Sequence, residues 1–499
     1  MSEEQETVPK QVTDQTQKGA TSVGKSMSWM FAARGLQAVV QLVSSAWIAR
    51  LLSPSEIGLF AISFAALMVA NGVRGLGVNQ FLMQSKTIEK ARMRSGFTLV
   101  FGFGVILCTG FNIAAAPLSE YYGQPAMGGM LHILSLNFII FPFHMIIQTR
   151  AARALEFGFL ASIEFASTLL SALVSVGLAL LGYSYYALAA GMVSFLVIYT
   201  AICAMRHLHL SDFGFSISHI REAASYGGWI AGSTFVTMTG NAAPDLIVGK
   251  TLGISVAGLY DRAAAVNRMV WDQLYGVIGA VLFPTFASEK REGHEMGSVY
   301  LYRLRAISDF LWPALIWLAV FGDHAILLLY GTQWEASGPP ARALALAAIA
   351  SAPFFIGREL MFALGKTKVS FTVDLVTFFA RIVVLTLAAP YGILVMALSF
   401  VIPNLVFTLV SQVALSRMVD ISIGDILRAI WPPALMMTLY GMLMLILRDY
   451  LEALHITAPF MNLAVSGIVT LILAPFLLFF FRSPLVATFN KLRGRAVNE

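Results

Sequence analysis

Charged residues make up only 12% of this 499-residue chain, about half the share of a soluble domain. That shortage excludes a fold solvated by water on all sides. Cysteine is scarcer still: the two present, Cys108 and Cys203, both fall in apolar runs, which excludes a disulfide framework and any metal-ligand spacing. No GxxxxGK[ST] phosphate loop, no HExxH and no paired cysteine site occurs, so no metal site is expected. The Gly-Leu-Gly at Gly75–Gly77 reads as part of an apolar helix, not as a dinucleotide loop following a soluble strand. With no nucleotide site, uphill work must draw on an ion gradient, the membrane potential or consumption of product on the far side. A basic soluble face bearing aromatics, as nucleic acid would need, is also missing. Residues 1–25 lack the basic start and apolar centre of a signal peptide and read as a disordered tail.

What the chain does have is hydrophobic residues, 58% of the total, with a mean hydropathy of +0.76. Runs such as FGFLASIEFASTLLSALVSVGLALLG (Phe157 to Gly182) and LAVSGIVTLILAPFLLFFF (Leu463 to Phe481) approach the ~20 residues that cross a hydrocarbon core. About fourteen such segments follow one another, starting near Met27, Ile57, Gly96, Met127, Gly158, Ser184, Tyr226, Val256, Ala306, Pro339, Phe371, Tyr391, Leu427 and Pro459. The chain is therefore expected to be an all-α, multi-pass membrane protein. Almost all loop and tail lysines and arginines fall on one side, leaving only Arg50, Lys250 and Arg448 opposite. By the positive-inside rule both termini are then cytoplasmic, and the net charge of +6 is a consequence of topology.

One stretch is written twice. RLLSPSEIGLF (Arg50 to Phe60) and KTLGISVAGLY (Lys250 to Tyr260) share Leu, Ser, Gly and Leu in register, and Trp29 pairs with Trp229 at the same offset. Upstream of each copy runs a polar stripe at helical spacing: Arg34, Gln37, Gln41 and Ser45 before the first, Thr234, Thr237, Asn241 and Asp245 before the second. Six spans separate the copies, so both have the same orientation. This is the parallel repeat found in transporters, with an axis along the membrane normal and binding sites near the midplane between the halves. The expected organisation is a tail (1–25), a six-helix bundle (26–210), a second six-helix bundle (211–420), two appended helices (421–482) and a basic cytoplasmic tail (483–499).

Seven arginines lie within spans: Arg34, Arg74, Arg262, Arg268, Arg342, Arg358 and Arg381. Intramembrane charges cost several kcal/mol and normally face a bundle interior or wet cavity, and guanidinium is a natural partner of phosphate. Their functional reading is a cationic cavity for an anionic substrate, lined by Arg34, Arg74, Arg262, Arg268 and Arg381 with Gln37, Gln41 and Asn241 of the stripes. For Arg34 snorkelling to the interface is the alternative; for Arg74 and Arg381 it is an ion pair. Arg342 and Arg358 lie nearer helix ends and are expected to snorkel. Asp261, Arg268 and Asp272 share a helix face, and Arg268 with Asp272 has the i, i+4 spacing of an internal pair. Asp245 follows Pro244, which opens the helical ladder; it could couple Na⁺ or H⁺ to movement, or serve, like Asp261 and Asp272, as a counter-ion.

ARLLSPSEIGLFAISFA (Ala49 to Ala65), GLGVNQFLMQ (Gly75 to Gln84), DLIVGKTLGISVAGLYDRA (Asp245 to Ala263) and AVLFPTFA (Ala280 to Ala287) resemble bacterial polysaccharide-export flippases. These are the Wzx-like branch of the multidrug/oligosaccharidyl-lipid/polysaccharide superfamily, and the match resembles the exopolysaccharide exporters. The resemblance implies two six-helix bundles about a pseudo-two-fold axis, plus two C-terminal helices. It implies a non-enzymatic transporter of the bacterial inner membrane that carries undecaprenyl-pyrophosphate-linked oligosaccharide to the periplasmic leaflet by alternating access. The product would serve exopolysaccharide or O-antigen synthesis. Implied partners are that lipid-linked sugar, membrane lipids, and a polysaccharide polymerase and co-polymerase. No cofactor is implied beyond a coupling ion or the membrane potential. Many relatives carry an acid near the Gly-Leu-Gly, where this chain has Arg74. Two rivals stand beside this reading: a cation-coupled multidrug exporter of the same superfamily, which seven buried arginines disfavour, and a membrane-embedded glycosyltransferase or ligase acting on polyprenyl sugars, which the short loops disfavour.

Overall fold

The computed structural model describes residues 33–484, apart from 85–88, 155, 457 and 482. The two tails and Trp29 lie outside the described residues. The chain is helical almost throughout, with no strand among the described residues. In chain order the helices are α1 (33–51), α2 (Pro54–Arg74), α3 (Val78–Gln84), α4 (Lys90–Tyr122), α5 (Pro125–Arg153), α6 (Phe157–Leu180), α7 (Tyr186–His207), α8 (Ile220–Thr251), α9 (Ile254–Arg291), α10 (Met296–Tyr330), α11 (Gly338–Ile349), α12 (Ile356–Ala363), α13 (Thr367–Ala388), α14 (Ile393–Ser399), α15 (Val401–Val419), α16 (Ile423–Ala453) and α17 (Pro459–Phe480).

Among the described residues, ten helices are long and apolar enough to cross a membrane, and Thr332–Ile349 with Ala352–Ala363, bent by 55°, makes one further, broken span. The remaining expected segments fall on α1, α8 and α9, so every one of the fourteen coincides with helix. The bend lies where Pro353 denies its neighbours a backbone donor. A second break departs from expectation. Gly75–Gly77 does not lie inside an apolar helix: α2 ends at Arg74, Leu76 and Gly77 take left-handed backbones (φ 44° and 63°), and α3 resumes at Val78. A residue without Cβ adopts that conformation at no steric cost, so the motif is a turn that separates α2 from α3.

The chain divides into two compact units, one of residues up to Leu51 with Val73–Ala231, the other of Leu52–Gly72 with Gly232–Glu499. In the first, Phe97 of α4 packs edge-on against Phe143 of α5 and Phe213 of the α7–α8 connection, and Ile147 and Ala151 of α5 meet Tyr199 and Cys203 of α7. In the second, α10 runs through the core, burying Tyr300, Leu304, Leu311 and Phe321. The last two helices are fixed to α10: Arg448 of α16 donates to Asp323 Oδ2 at 2.7 Å, and the Trp317 indole donates to Ser466 Oγ of α17 at 3.0 Å.

The duplicated stretch acquires a physical meaning in the second unit. Ser53 and Glu56 form a reciprocal cap with Pro54 at the first helical position: the Ser53 amide donates to Glu56 Oε2 at 2.7 Å and the Glu56 amide to Ser53 Oγ at 3.4 Å, which starts α2 cleanly. Gly253, at φ 93°, makes the equivalent start for α9. The two helices cross through their glycines. A Cβ on Gly58 would sit 1.9 Å from the Ile254 carbonyl oxygen, and one on Gly258 would sit 1.9 Å from the Pro54 carbonyl oxygen. Positions 54 and 58 thus meet 254 and 258 reciprocally, as a local two-fold requires, and the close approach is the kind that small residues permit in membranes.

Adding a methyl to either glycine forces the helix backbones apart. Gly58→Ala and Gly258→Ala should each cost about 1–3 kcal/mol, read as earlier thermal unfolding of the detergent-purified protein. Because either substitution opens the same crossing, the double variant should lose clearly less than the sum. Additive losses, or none, would show that the helices are not held at this distance.

Candidate functional site: the intramembrane charges

In the second unit, α8 and α9 are consecutive, joined by the turn at Leu252–Gly253. Asp245 stands about two turns before the turn and Asp261 two turns after it, so both carboxylates reach one level of the helical pair. Asp261 is 8% exposed and bridges two guanidiniums of its own helix. Arg262 donates from Nε at 3.1 Å and Nη2 at 2.5 Å to Oδ2, while Arg268 donates from Nη2 at 2.8 Å to Oδ1. Residues 261 and 268 are seven apart, two helical turns on one face, a gap that an arginine side chain spans. The expected Arg268–Asp272 pair does not form; Asp272 is exposed and joins no ion pair among the described residues. Asp261 is the deeper acid and already carries Arg262, so Arg268 completes a three-group chain there.

Asp245 is 9% exposed, and its Oδ1 has no hydrogen-bond partner. It lies within electrostatic reach of Asp261, Arg268 and Arg262. Tyr260, fully buried, is within reach of Asp245, Arg268 and Arg381. Arg381 of α13 donates from Nη1 to the Gly240 carbonyl at 3.3 Å and to Asn241 Oδ1 at 3.2 Å. The stripe residue Asn241 therefore holds a guanidinium instead of standing free. Asp272 lies within reach of Arg268, and Asp374, paired with Arg358, lies within reach of Arg381, so four arginines and four aspartates share this region and their formal charges balance. Arg268 remains half-exposed, with 53% of its side chain accessible, and its guanidinium has donors beyond the one given to Asp261.

In the first unit the pattern differs. Arg74 lies over the Phe141 ring at 3.6 Å from its centroid and has no ion pair among the described residues. Cation–π contact lowers the cost of burying the charge without neutralising it. Gln37 donates to Glu164 Oε1 of α6 at 3.4 Å; Arg34 and Gln41 are exposed. Arg342 and Arg358 do not snorkel freely: Arg358 pairs with Asp374 of α13 at 3.0 Å, and Arg342 lies 3.6 Å from Asp323.

Sequence reading passed over several polar groups. Glu164 is the lone acid of the apolar run on α6. His144 of α5 contacts Thr200 Oγ1 at 3.3 Å and the Tyr199 ring edge-on, and its signal was an isolated histidine in FPFHMII. Asp374 was visible only as an acid one helix away from Arg358, a pairing that needs the tertiary structure.

Replacing Asp261 with Asn leaves Arg262 and Arg268 without their carboxylate. Asp261→Asn should destabilise by about 3–5 kcal/mol, as breaking a buried pair does, and Asp261→Asn/Arg262→Met should recover part of the loss in thermal unfolding. A single variant as stable as the wild type would mean that solvent, not Asp261, compensates the arginines.

Residues 47–339, more than half of the chain, match the family described as polysaccharide biosynthesis protein. The lipopolysaccharide biosynthesis protein WzxC of Escherichia coli strain K12 is 20% identical over 401 residues, 79% of this chain and 80% of its own. The succinoglycan biosynthesis transport protein ExoT of Rhizobium meliloti strain 1021 is 24% identical over 331 residues, 66% of either chain. Among solved structures, the lipid II flippase MurJ in an inward closed conformation aligns with a TM-score of 0.70 at 12% identity, covering 92% of this chain and 99% of its own, a likeness of fold. The chain belongs to the polysaccharide biosynthesis protein family.

Proposed function

We propose that this protein is a flippase for lipid-linked oligosaccharide. It would carry undecaprenyl-pyrophosphate-linked repeat units to the periplasmic leaflet of the bacterial inner membrane by alternating access, with both termini cytoplasmic. It would act as a transporter, not an enzyme, and pass its cargo to a polymerase and co-polymerase of exopolysaccharide or O-antigen synthesis. The observation that carries this reading, in a chain of this family, is Arg268, an intramembrane guanidinium that stays half-exposed and keeps donors beyond the one given to Asp261. Pyrophosphate is an anion that such a guanidinium recognises through bidentate, charge-assisted bonds. A cationic drug would instead need a surplus of acid. Arg74, which meets an aromatic ring and no carboxylate among the described residues, supplies an uncompensated charge.

Asp245 Oδ1 is a buried carboxylate oxygen without a donor, and it suits a proton or Na⁺ that couples the cycle to a gradient. Asp245→Asn should lower oligosaccharide flux and leave the remainder insensitive to a protonophore or to removal of Na⁺. A residual flux that still collapses with the gradient would remove Asp245 from the coupling role.

The decisive experiment deletes the gene in its host and restores it with wild type, Arg268→Ala or Arg74→Ala. Surface polymer should fall at least tenfold in the deletion strain and in both variants, with lipid-linked oligosaccharide held on the cytoplasmic leaflet. Normal polymer with altered drug tolerance would favour a multidrug exporter instead.

A further inference from the structure

The second unit contains a cavity of about 750 Å³ away from the arginine–aspartate cluster, lined almost entirely by apolar side chains of α10, α11, α14 and α16. Its walls run in one direction. Trp312, Ile349 and Ala434 close one end, and Arg342 and Leu445 lie toward the other, where α10 ends, α11 begins and α16 ends. From Pro339 to Ile349 the groove follows ten helical steps, ~15 Å, half the ~30 Å hydrocarbon core and so the depth of one leaflet. Its rim is open: Leu346, Leu394, Leu398 and Met442 are exposed large hydrophobics.

At the charged end Arg342 and Arg448 face Asp323 and Glu452, a balanced set in which Arg342 is the less engaged cation. Arg448 takes most of the Asp323 charge, donating from Nη2 to Oδ2 at 2.7 Å and from Nη1 to Oδ1 at 3.3 Å, and also donates to Glu452 at 2.9 Å. Arg342 donates from Nε to the Ala319 carbonyl at 2.9 Å and lies 3.6 Å from the already occupied Asp323 Oδ2. Its Nη2 has no partner among the described residues. Arg342 stands about one turn inside the start of α11, at headgroup level, with the apolar groove running inward from it.

We propose that this groove holds one acyl chain of an anionic phospholipid whose phosphate rests on Arg342. A basic group at the mouth of a pocket between membrane helices is the arrangement that selects acidic headgroups. The one-leaflet length fits an acyl chain, whereas a long polyisoprenyl chain would overrun the groove. On the orientation given above, the lipid belongs to the leaflet opposite the termini, and it would brace α16 against α11 and α14, where the groove leaves protein contact wanting.

The test is native mass spectrometry of the full-length protein titrated with dioleoyl phosphatidylglycerol, dioleoyl phosphatidylcholine and undecaprenyl phosphate. The glycerol lipid should bind at least ~10-fold tighter than the choline lipid, about 1.4 kcal/mol. Arg342→Gln should abolish that preference, Arg342→Lys should keep it, and Thr438→Trp, which fills the groove from α16, should weaken both phospholipids. Equal binding of the two phospholipids to the wild type overturns the proposal, as does a preference that survives Arg342→Gln. Undecaprenyl phosphate displacing phosphatidylglycerol at equal concentration overturns the phospholipid as occupant and assigns the groove to the carrier lipid. If Arg342→Gln fails to fold, the wild-type comparison with Arg342→Lys and Thr438→Trp still decides.

Discussion

A guanidinium inside hydrocarbon must find an electronegative partner or a wet surface, and this requirement organises both units. Five arginines that lie within helices of the second unit have acquired a partner. Arg262 and Arg268 share Asp261, Arg358 has Asp374, Arg448 has Asp323, and Arg381 has a carbonyl and an amide oxygen. These pairs do more than neutralise. Arg358–Asp374 ties α12 to α13, Arg381 ties α13 to α8, and Arg448–Asp323 ties α16 to α10. Between membrane helices there is no hydrophobic drive to association, because lipid tails are as apolar as leucine. Polar pairs therefore fix which helices become neighbours, and van der Waals packing fixes how closely they approach.

The glycine crossing of α2 and α9 shows the second half of that statement. At Gly58 and Gly258 the approach is limited by backbone alone, with carbonyl oxygens where a side chain would begin. Only the residues at the crossing are constrained by it. This explains why the duplicated stretch keeps its glycines while Glu56 corresponds to Val256 and Arg50 to Lys250. The capping chemistry diverged too: a serine–glutamate cap starts α2, a glycine with positive φ starts α9. What a duplicated helix must keep is the point of contact with its copy.

The spans were legible in the sequence because the bilayer sets their length and hydropathy directly, the polar-striped α8 included. The breaks were less so. Gly75–Gly77 looks apolar, and its turn is dictated by backbone conformation that hydropathy does not encode. At the site, the arginines were legible as anomalies but their partners were not. Arg268 had an acid at i+4 and another at i−7, and the choice fell to the buried Asp261 because that carboxylate already held Arg262. Asp374 for Arg358 and Asn241 for Arg381 lie on other helices, at separations no periodicity reveals. Glu164 and His144 were single polar letters in apolar runs, and their meaning comes from Gln37 and from Thr200 and Tyr199.

The two ways of housing arginine differ in what they leave for a ligand. A carboxylate at 2.8 Å satisfies a guanidinium electrically, so a second anion must compete with it or use the donors left over. An aromatic face at 3.6 Å stabilises the same cation through its quadrupole and leaves the full charge in place. Arg268 belongs to the first kind, with half its surface still open, and Arg74 to the second. An anion that must be bound and then released is poorly served by a site of uncompensated charges alone, since every such contact also raises the barrier to leaving. Within the second unit, a guanidinium that already shares a carboxylate can return to it when an anion departs. Asp261, fixed between Arg262 and Arg268, is such a carboxylate.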